Sequence, residues 1–355
     1  MDSILKHFSK DLGIDLGTCN TLVAVRGHGI VLNEPSVVAV RKGTNQVLRM
    51  AQGEAVGVLA KEMLGKTPGA ITAIRPLKDG VISDFEITEA MLSYFIKKAV
   101  RATGKFGMVG PRVVISVPSG ITAVEKRAVF DSAGRAGARS VHLCEEPLAA
   151  AVGAGLPWSE AQASMIVDIG GGTSEVAVLS LGDIAVCESL RVAGDDLDEA
   201  IINHMKKSYS LTIGEQTAER IKIEIGSAYP TEDDRPPDRM DVRGRDMISG
   251  LPRQVVVTSE EIREALQEPV MAIAECVKRV LEKTDPELSA DLYLSGMTIA
   301  GGGALLRGIR ELIEVQTGLK VKIAADPLTC VARGTAQFLD NLDLLKEMLD
   351  SDQDG

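Results

Sequence analysis

Short apolar runs alternate with amphipathic stretches along the whole chain. Residues 12–15 and 21–26 predict two strands around the turn Leu16-Gly17-Thr18-Cys19-Asn20. Residues 112–117 form a buried-strand run, and residues 122–136 follow with helical spacing. Residues 141–144 predict another strand. Pro147 then opens a helix of small residues to about position 154, and proline suits the first helical turn because its missing N–H would have no partner there. Residues 165–168 and 175–179 repeat the strand–turn–strand plan. Asp195 and Asp198 sit at the start of a helix striped by Leu197, Ile201, His204 and Met205. Thr258 and Glu261 make a capping box for the helix carrying Ile262, Leu266, Val270, Ile273 and Val277. Residues 297–300 predict a strand, followed by three glycines and a helix from Leu305 to about Gln316. Residues 230–245, rich in Asp, Arg and Pro, predict an exposed loop, and residues 350–355 a disordered tail. Strands alternating with helices in this way predict an α/β architecture.

The most informative pattern is a duplication. Gly13-Ile14-Asp15-Leu16-Gly17-Thr18 returns as Val167-Asp168-Ile169-Gly170-Gly171-Gly172-Thr173. Each copy ends a strand in Asp, turns on Gly, supplies a Thr hydroxyl and leaves as a second strand. Glycine lets successive backbone N–H groups point inward as an anion nest. The Thr hydroxyl donates without adding bulk or charge. Asp15 and Asp168 are unsuited to binding phosphate directly, since like charges repel, but they suit a hydrated Mg²⁺ held between carboxylate, water and phosphate. Two matched copies predict two related lobes facing one phosphate ligand. A third cluster, Gly301-Gly302-Gly303 before Ala304, lies between a strand and a helix, where it allows close approach of a ligand to backbone.

Length and composition narrow the picture. A chain of 355 residues suits two domains or a pseudo-symmetric pair. Aromatic residues are only 3% of it, so small aliphatic side chains must fill the core. A net charge of −11 argues against general affinity for nucleic acid. Cys19, Cys144, Cys187, Cys276 and Cys330 are scattered and lack metal-ligand spacing, which favours reduced thiols in a cytoplasm. No apolar run approaches the roughly 18 residues that span a bilayer, and no secretory signal pattern opens the chain.

Further chemistry is carried by carboxylates. In Glu145-Glu146-Pro147, a carboxylate at a strand end is placed to orient or deprotonate water in line with a γ-phosphate; the alternative is that it complements a helix N-terminus. Thr173 is the accompanying catalytic candidate. Glu219 and Lys222 share a helix face and suit an adenine and ribose clamp, or else a surface ion pair. The four histidines occur singly, and Cys144 reads as core.

These motifs resemble the actin, Hsp70 and sugar-kinase superfamily, and within it the MreB family. The second resemblance runs over nearly the whole chain, through Asn33-Glu34-Pro35-Ser36, Arg75-Pro76-Leu77-Lys78-Asp79-Gly80, Glu145-Glu146-Pro147, Glu219-Arg220-Ile221-Lys222 and Asp326-Pro327-Leu328-Thr329. It implies a duplicated α/β ATPase fold, with two lobes of one large and one small subdomain each around a central nucleotide cleft. The implied boundaries are residues 1–34, 76–150 and 320–345 for the first large subdomain and 35–75 for its small partner. Residues 151–190 with 255–319 form the second large subdomain, 191–254 its small partner, and 346–355 a flexible tail. It further implies ATP and Mg²⁺ as ligands, with Asp15 and Asp168 at the metal and Glu146 at the attacking water. Gly17, Thr18, Cys19, Asn20 and Gly170, Gly171, Gly172, Thr173 would hold the phosphates. Glu219, Arg220, Ile221 and Lys222 would meet adenosine, with Gly301, Gly302, Gly303 and Ala304 beside the nucleotide. The implied partners are further copies of the chain in a filament, the inner membrane surface, and cell-wall elongation and membrane-anchored shape proteins. Cys19 stands where Ala is usual in the family, and Ser174 where Thr is common. An Hsp70-like chaperone would need a separate peptide-binding domain, and a small-molecule kinase would need an Asp base near a sugar cleft, for which the run Asp195-Asp196 is easily mistaken.

At the N-terminus Met1, Ile4, Leu5 and Phe8 share one helical face and Lys6 and Lys10 fall on the other, an interfacial pattern suited to anionic headgroups. The alternative is a short arm packed on its own domain. Phe106, Met108 and Val109 form a second apolar cluster in a Gly-rich loop. So short a helix binds weakly alone and strongly when a filament presents many copies. Phe8→Glu is therefore expected to abolish pelleting with anionic vesicles under polymerising conditions, and wild-type pelleting of that variant would exclude the N-terminal anchor.

Overall fold

A computed structural model describes residues 11–51, 53–103, 110–230 and 236–340. The candidate membrane residues Ile4, Leu5, Phe8, Phe106, Met108 and Val109, and the 350–355 tail, lie outside them. Two five-stranded sheets dominate. The first contains β1 (Leu12–Leu16), β2 (Asn20–Val25), β3 (Gly29–Pro35), β4 (Arg112–Val117) and β5 (Ser140–Glu145), in the order β5-β4-β1-β2-β3. The second contains β6 (Ser164–Ile169), β7 (Ser174–Ser180), β8 (Asp183–Leu190), β9 (Met297–Ala300) and β10 (Val321–Ile323), in the order β8-β7-β6-β9-β10. In each sheet the central strand starts an antiparallel meander on one side and pairs in parallel on the other. The sequence duplication is thus a duplication of topology. Asp15 and Asp168 stand in corresponding places, one residue before the ends of β1 and β6.

Five helices bear on the site and on the joint between the sheets: α1 (Val58–Lys61), α2 (Glu146–Ala154), α3 (Gly194–Tyr209), α4 (Glu215–Ile225) and α5 (Cys330–Asp340). Strand Val38–Arg41 pairs with Ile71–Ile74 beside the first sheet's core. A three-stranded sheet of Leu211–Thr212, Arg239–Asp246 and Pro252–Thr258 closes on the second sheet's core.

A third core cluster joins the halves. Val114 and Cys144 from the first sheet, and Ile166, Ala177 and Leu179 from the second, meet around α2 and α5. With few aromatics available, these helices approach at backbone distance. Ala149, Ala150 and Ala151 are completely buried. A β-carbon at Gly153 would collide with the Cys330 carbonyl, and one at Gly334 with the Ala149 carbonyl. Gly13 on β1 gives α5 the same access, since a β-carbon there would lie 2.6 Å from Thr335 Oγ1.

Two expectations need correction. Residues 239–245, read as part of an exposed loop, lie in the strand Arg239–Asp246. Met240 and Val242 point into the core while Asp241 and Arg243 face solvent, and the charged outer face of this half-solvated sheet hid the period-2 signal. The helix expected from Leu305 begins at Ile309, because Gly302–Leu305 forms a 3₁₀ turn and Gly308 adopts a left-handed conformation at φ 75°. The capping box of Thr258 and Glu261 is present as expected.

Gly334→Ala is expected to destabilise the protein by about 1–3 kcal/mol through overpacking at the α2–α5 contact. Gly134→Ala, whose β-carbon meets nothing within 4 Å, is expected to be neutral or to stabilise its helix by up to about 1 kcal/mol. Thermal unfolding of the two variants separates close approach from general glycine effects.

Candidate functional site

The β1–β2 and β6–β7 turns meet tip to tip. A β-carbon at Gly172 would lie 2.9 Å from Thr18 Oγ1, and one at Gly171 would lie 2.8 Å from Cys19 Cβ. Glycine is required here because the opposing turn occupies the side-chain space. Gly170 N–H donates to the Thr173 carbonyl at 2.8 Å and closes the second turn. Gly80 N–H donates to Thr18 Oγ1 at 3.1 Å, bringing the 78–80 loop against the first. Gly194 and Asp195 N–H donate to the Gly170 and Gly171 carbonyls, fixing the start of α3 on the second turn.

A cleft of about 390 Å³ opens between the turns, within the usual range for a small-molecule site. Its wall brings together Asp15, Gly17, Thr18, Cys19, Asn20, Glu146, Asp168, Gly170, Gly171, Gly172, Thr173, Glu219, Lys222, Gly301, Gly302 and Gly303, all expected from sequence. Arg220, Ile221 and Ala304 are not on it. One helical turn explains the first two: Glu219, Lys222, Ile223 and Gly226 share the face of α4 towards the cleft, whereas Arg220 points to solvent and Ile221 into the core. Ala304 is the buried residue of the 3₁₀ turn and points into the second sheet's core. Gly301, at φ 77°, brings its backbone so close to Asp168 that a β-carbon would lie 2.5 Å from Asp168 Oδ1.

Carboxylates crowd the floor. Asp168 and Glu146 are 6% and 8% exposed. Asp168 Oδ1 has no hydrogen-bond partner among the described residues. Burial pushes Asp168 up to about 7. Burial, then the charge of Asp168, does the same to Asp15 against a weak hydrogen bond from Ser116. Glu146 is raised well above the usual carboxylate range by burial, then by Glu175, Asp15 and Asp168. Glu175, the cross-strand partner of Asp168, is also raised to about 7 by burial, though Ser189 Oγ donates to it at 2.6 Å. Sequence reading passed over Glu175; a carboxylate at an inward position of a buried strand was its only signal. It quoted Arg75 and Gly80 only within a family motif and gave neither a place at the site, although Asp79-Gly80 is a recognisable turn pair.

A buried, unpartnered carboxylate oxygen facing a cleft fits a cation. Two carboxylates suit Mg²⁺, which keeps most of its waters and takes phosphate oxygens, better than a full protein cage would. Towards the outer end, Lys222 Nζ donates to the Gly194 carbonyl at 2.7 Å and pairs with Asp198 at 2.9 Å, while Glu219 pairs with Lys61 at 2.9 Å. Ile223, Leu305 and Leu328, all exposed, supply apolar surface around them.

A match to the MreB/Mbl protein family spans residues 9–347. The chain belongs to that family. It is 54% identical to the cell shape-determining protein MreB of Escherichia coli over 337 residues, 95% of each chain. It is 50% identical to the cell shape-determining protein Mbl of Bacillus subtilis over 338 residues, 95% of this chain and 98% of the relative. Among solved structures it resembles MreB5 of Spiroplasma citri bound to ADP, with TM-score 0.87 and 38% identity over 96% of this chain and 98% of that one. The AMPPNP-bound form matches with TM-score 0.85 and 37% identity, over 97% and 99%. The MamK double helical filament matches in fold, with TM-score 0.75 and 21% identity over 94% and 99%. The duplicated sheets are therefore those of the actin-like α/β fold.

The floor carboxylates predict a pH signature. In nucleotide- and metal-free protein, Asp15 and Asp168 keep protons to about pH 7 that the unfolded chain releases near pH 4. The folded state then holds more protons, so stability falls as pH rises from about 4 to about 7 and levels off above. Asp168→Asn is expected to raise the thermal midpoint near pH 8 and flatten that slope. An unchanged pH profile in the variant would mean that Asp168 is already ionised in the empty protein.

Proposed function

We propose that this chain binds ATP with Mg²⁺ in the cleft and hydrolyses it slowly. The cycle drives head-to-tail assembly into filaments on the inner face of the cell membrane, where they organise cell-wall synthesis. The observation that carries the reading is the tip-to-tip meeting of two Gly–Thr turns above Asp15, Asp168 and Glu146. In this reading the backbone of Gly17 to Asn20 and of Gly170 to Thr173 grips the phosphates. Asp15 and Asp168 hold the Mg²⁺, which when bound neutralises phosphate charge. Glu146, on the cleft wall below the turns, once ionised accepts a proton from a water that Thr173 helps to place. Glu219 and Lys222 face adenosine. Residues 35–75 and 191–254 act as the small subdomains. The names of the relatives, cell shape-determining proteins, support the cellular role, and the nucleotides in the Spiroplasma protein support the ligand.

The kinase alternative gains no base from the run Asp195-Asp196. Asp195 is engaged by Arg75 at 3.1 Å and by the Cys19 thiol at 3.2 Å. Asp196 accepts the Ala193 N–H at 2.8 Å and caps α3. Neither lies on the cleft wall.

Glu146→Ala is expected to keep ATP affinity near wild type and to cut turnover by about a hundredfold or more. Phosphate release and isothermal calorimetry measure the two effects, and light scattering with MgATP reports assembly above a threshold concentration. Unchanged turnover would leave Glu146 as a charge that complements the N-terminus of α2. Absence of assembly under all salt and nucleotide conditions would overturn the filament reading.

A further inference from the structure

Helix α4 serves both lobes. Glu219, Lys222, Ile223 and Gly226 line the cleft, while Glu215, Gln216 and Glu219 reach towards the first lobe. Lys61, the last residue of α1, donates from Nζ to the Glu219 carboxylate, both of whose oxygens lie at 2.9 Å. Gln216 Nε2 donates to the Lys61 carbonyl at 2.6 Å, satisfying a C-terminal carbonyl of that short helix. A second tie is Arg75, which pairs with Asp195 at 3.1 Å and Glu215 at 3.5 Å, and whose guanidinium touches Cys19 Sγ at 3.4 Å.

These two ties differ in kind. The Arg75 side chain is 25% exposed and is held at once by Asp195 of α3, Glu215 at the start of α4 and the Cys19 thiol, so it fastens both helices to the first turn. The Lys61 and Glu219 side chains are 33% and 34% exposed. Exposure runs from the buried floor at Glu146, 8% exposed, outward to this pair, which places it at the mouth of the cleft. Lys61 is not on the cleft wall itself, whereas its partner Glu219 is.

We propose that the Lys61–Glu219 ion pair, with the Gln216–Lys61 carbonyl bond beside it, is a gate across the cleft mouth that sets the rate at which nucleotide enters and leaves. The proposal rests on the reading of the cleft as a nucleotide site. Magnitude makes the pair a gate rather than a lock. An ion pair this exposed shifts the rate by no more than about fivefold, so it opens often, while the multiply held Arg75 tie keeps the phosphate turns in register. A ligand hydroxyl that donates to Glu219 shares its carboxylate with Lys61, so occupancy of the cleft and closure of the lobes draw on the same group.

The test follows release of radiolabelled ATPγS from full-length protein with Mg²⁺, below its assembly concentration, after a chase of unlabelled ATP. Lys61→Met is expected to speed release by about threefold to fivefold at low ionic strength, and Lys61→Glu, which repels Glu219, by more. Wild-type release is expected to quicken with added salt as the exposed pair is screened, and the Lys61→Met rate to stay flat. Binding with the same release rate in wild type and both variants at low salt overturns the gate alone. Failure of wild-type protein to retain any labelled nucleotide overturns the reading of the cleft, and the gate with it.

Discussion

Backbone contact between two glycine turns sets the geometry of this molecule. Gly171 and Gly172 let the second turn rest on Cys19 and Thr18 of the first, and any side chain at either glycine would push the lobes apart. The same device recurs behind the site, where Gly153 and Gly334 bring α2 and α5 into contact. α2 begins at Glu146, so the packing that joins the lobes also fixes that carboxylate beneath the cleft. A core short of aromatic side chains suits this plan, because small residues let backbone, rather than large rings, define the spacing.

The electrostatics oppose the packing. Asp15, Glu146, Asp168 and Glu175 are gathered where water is scarce, and burial is the largest cause of each raised proton affinity. Such a cluster costs stability in the empty protein and is characteristic of sites arranged for charge chemistry. A bound cation and polyphosphate would exchange that repulsion for attraction, so ligand occupancy and stability are linked. The lobes are meanwhile tied by Arg75 and Lys61, cations of the first lobe that reach carboxylates on α3 and α4 of the second.

The repeat of Asp, Gly and Thr in strand–turn–strand context was enough to read two related lobes whose turns face each other, because those residue types at that spacing answer to local chemistry. The helix caps were legible for the same reason: Thr258 and Glu261 lie three residues apart and close on each other without outside help. What sequence alone misassigned had a charged outer face or depended on a distant neighbour. The strand Arg239–Asp246 was hidden by its solvent-facing Arg and Asp residues, and Arg220 and Ile221 fell off the cleft wall because only the packing of α4 decides which helical face turns inward.

Sequence by itself determined the α/β class, the duplication, the two turns and the carboxylates that end their strands, since each is written in residues a few positions apart. Tertiary structure alone decided that Glu175 stands behind Asp168, that Arg75 reaches Asp195 and that Lys61 closes on Glu219. The last two pairs are separated by 120 and 158 positions. Pairing across such separations is set by how whole elements pack, and no local pattern of side chains encodes it.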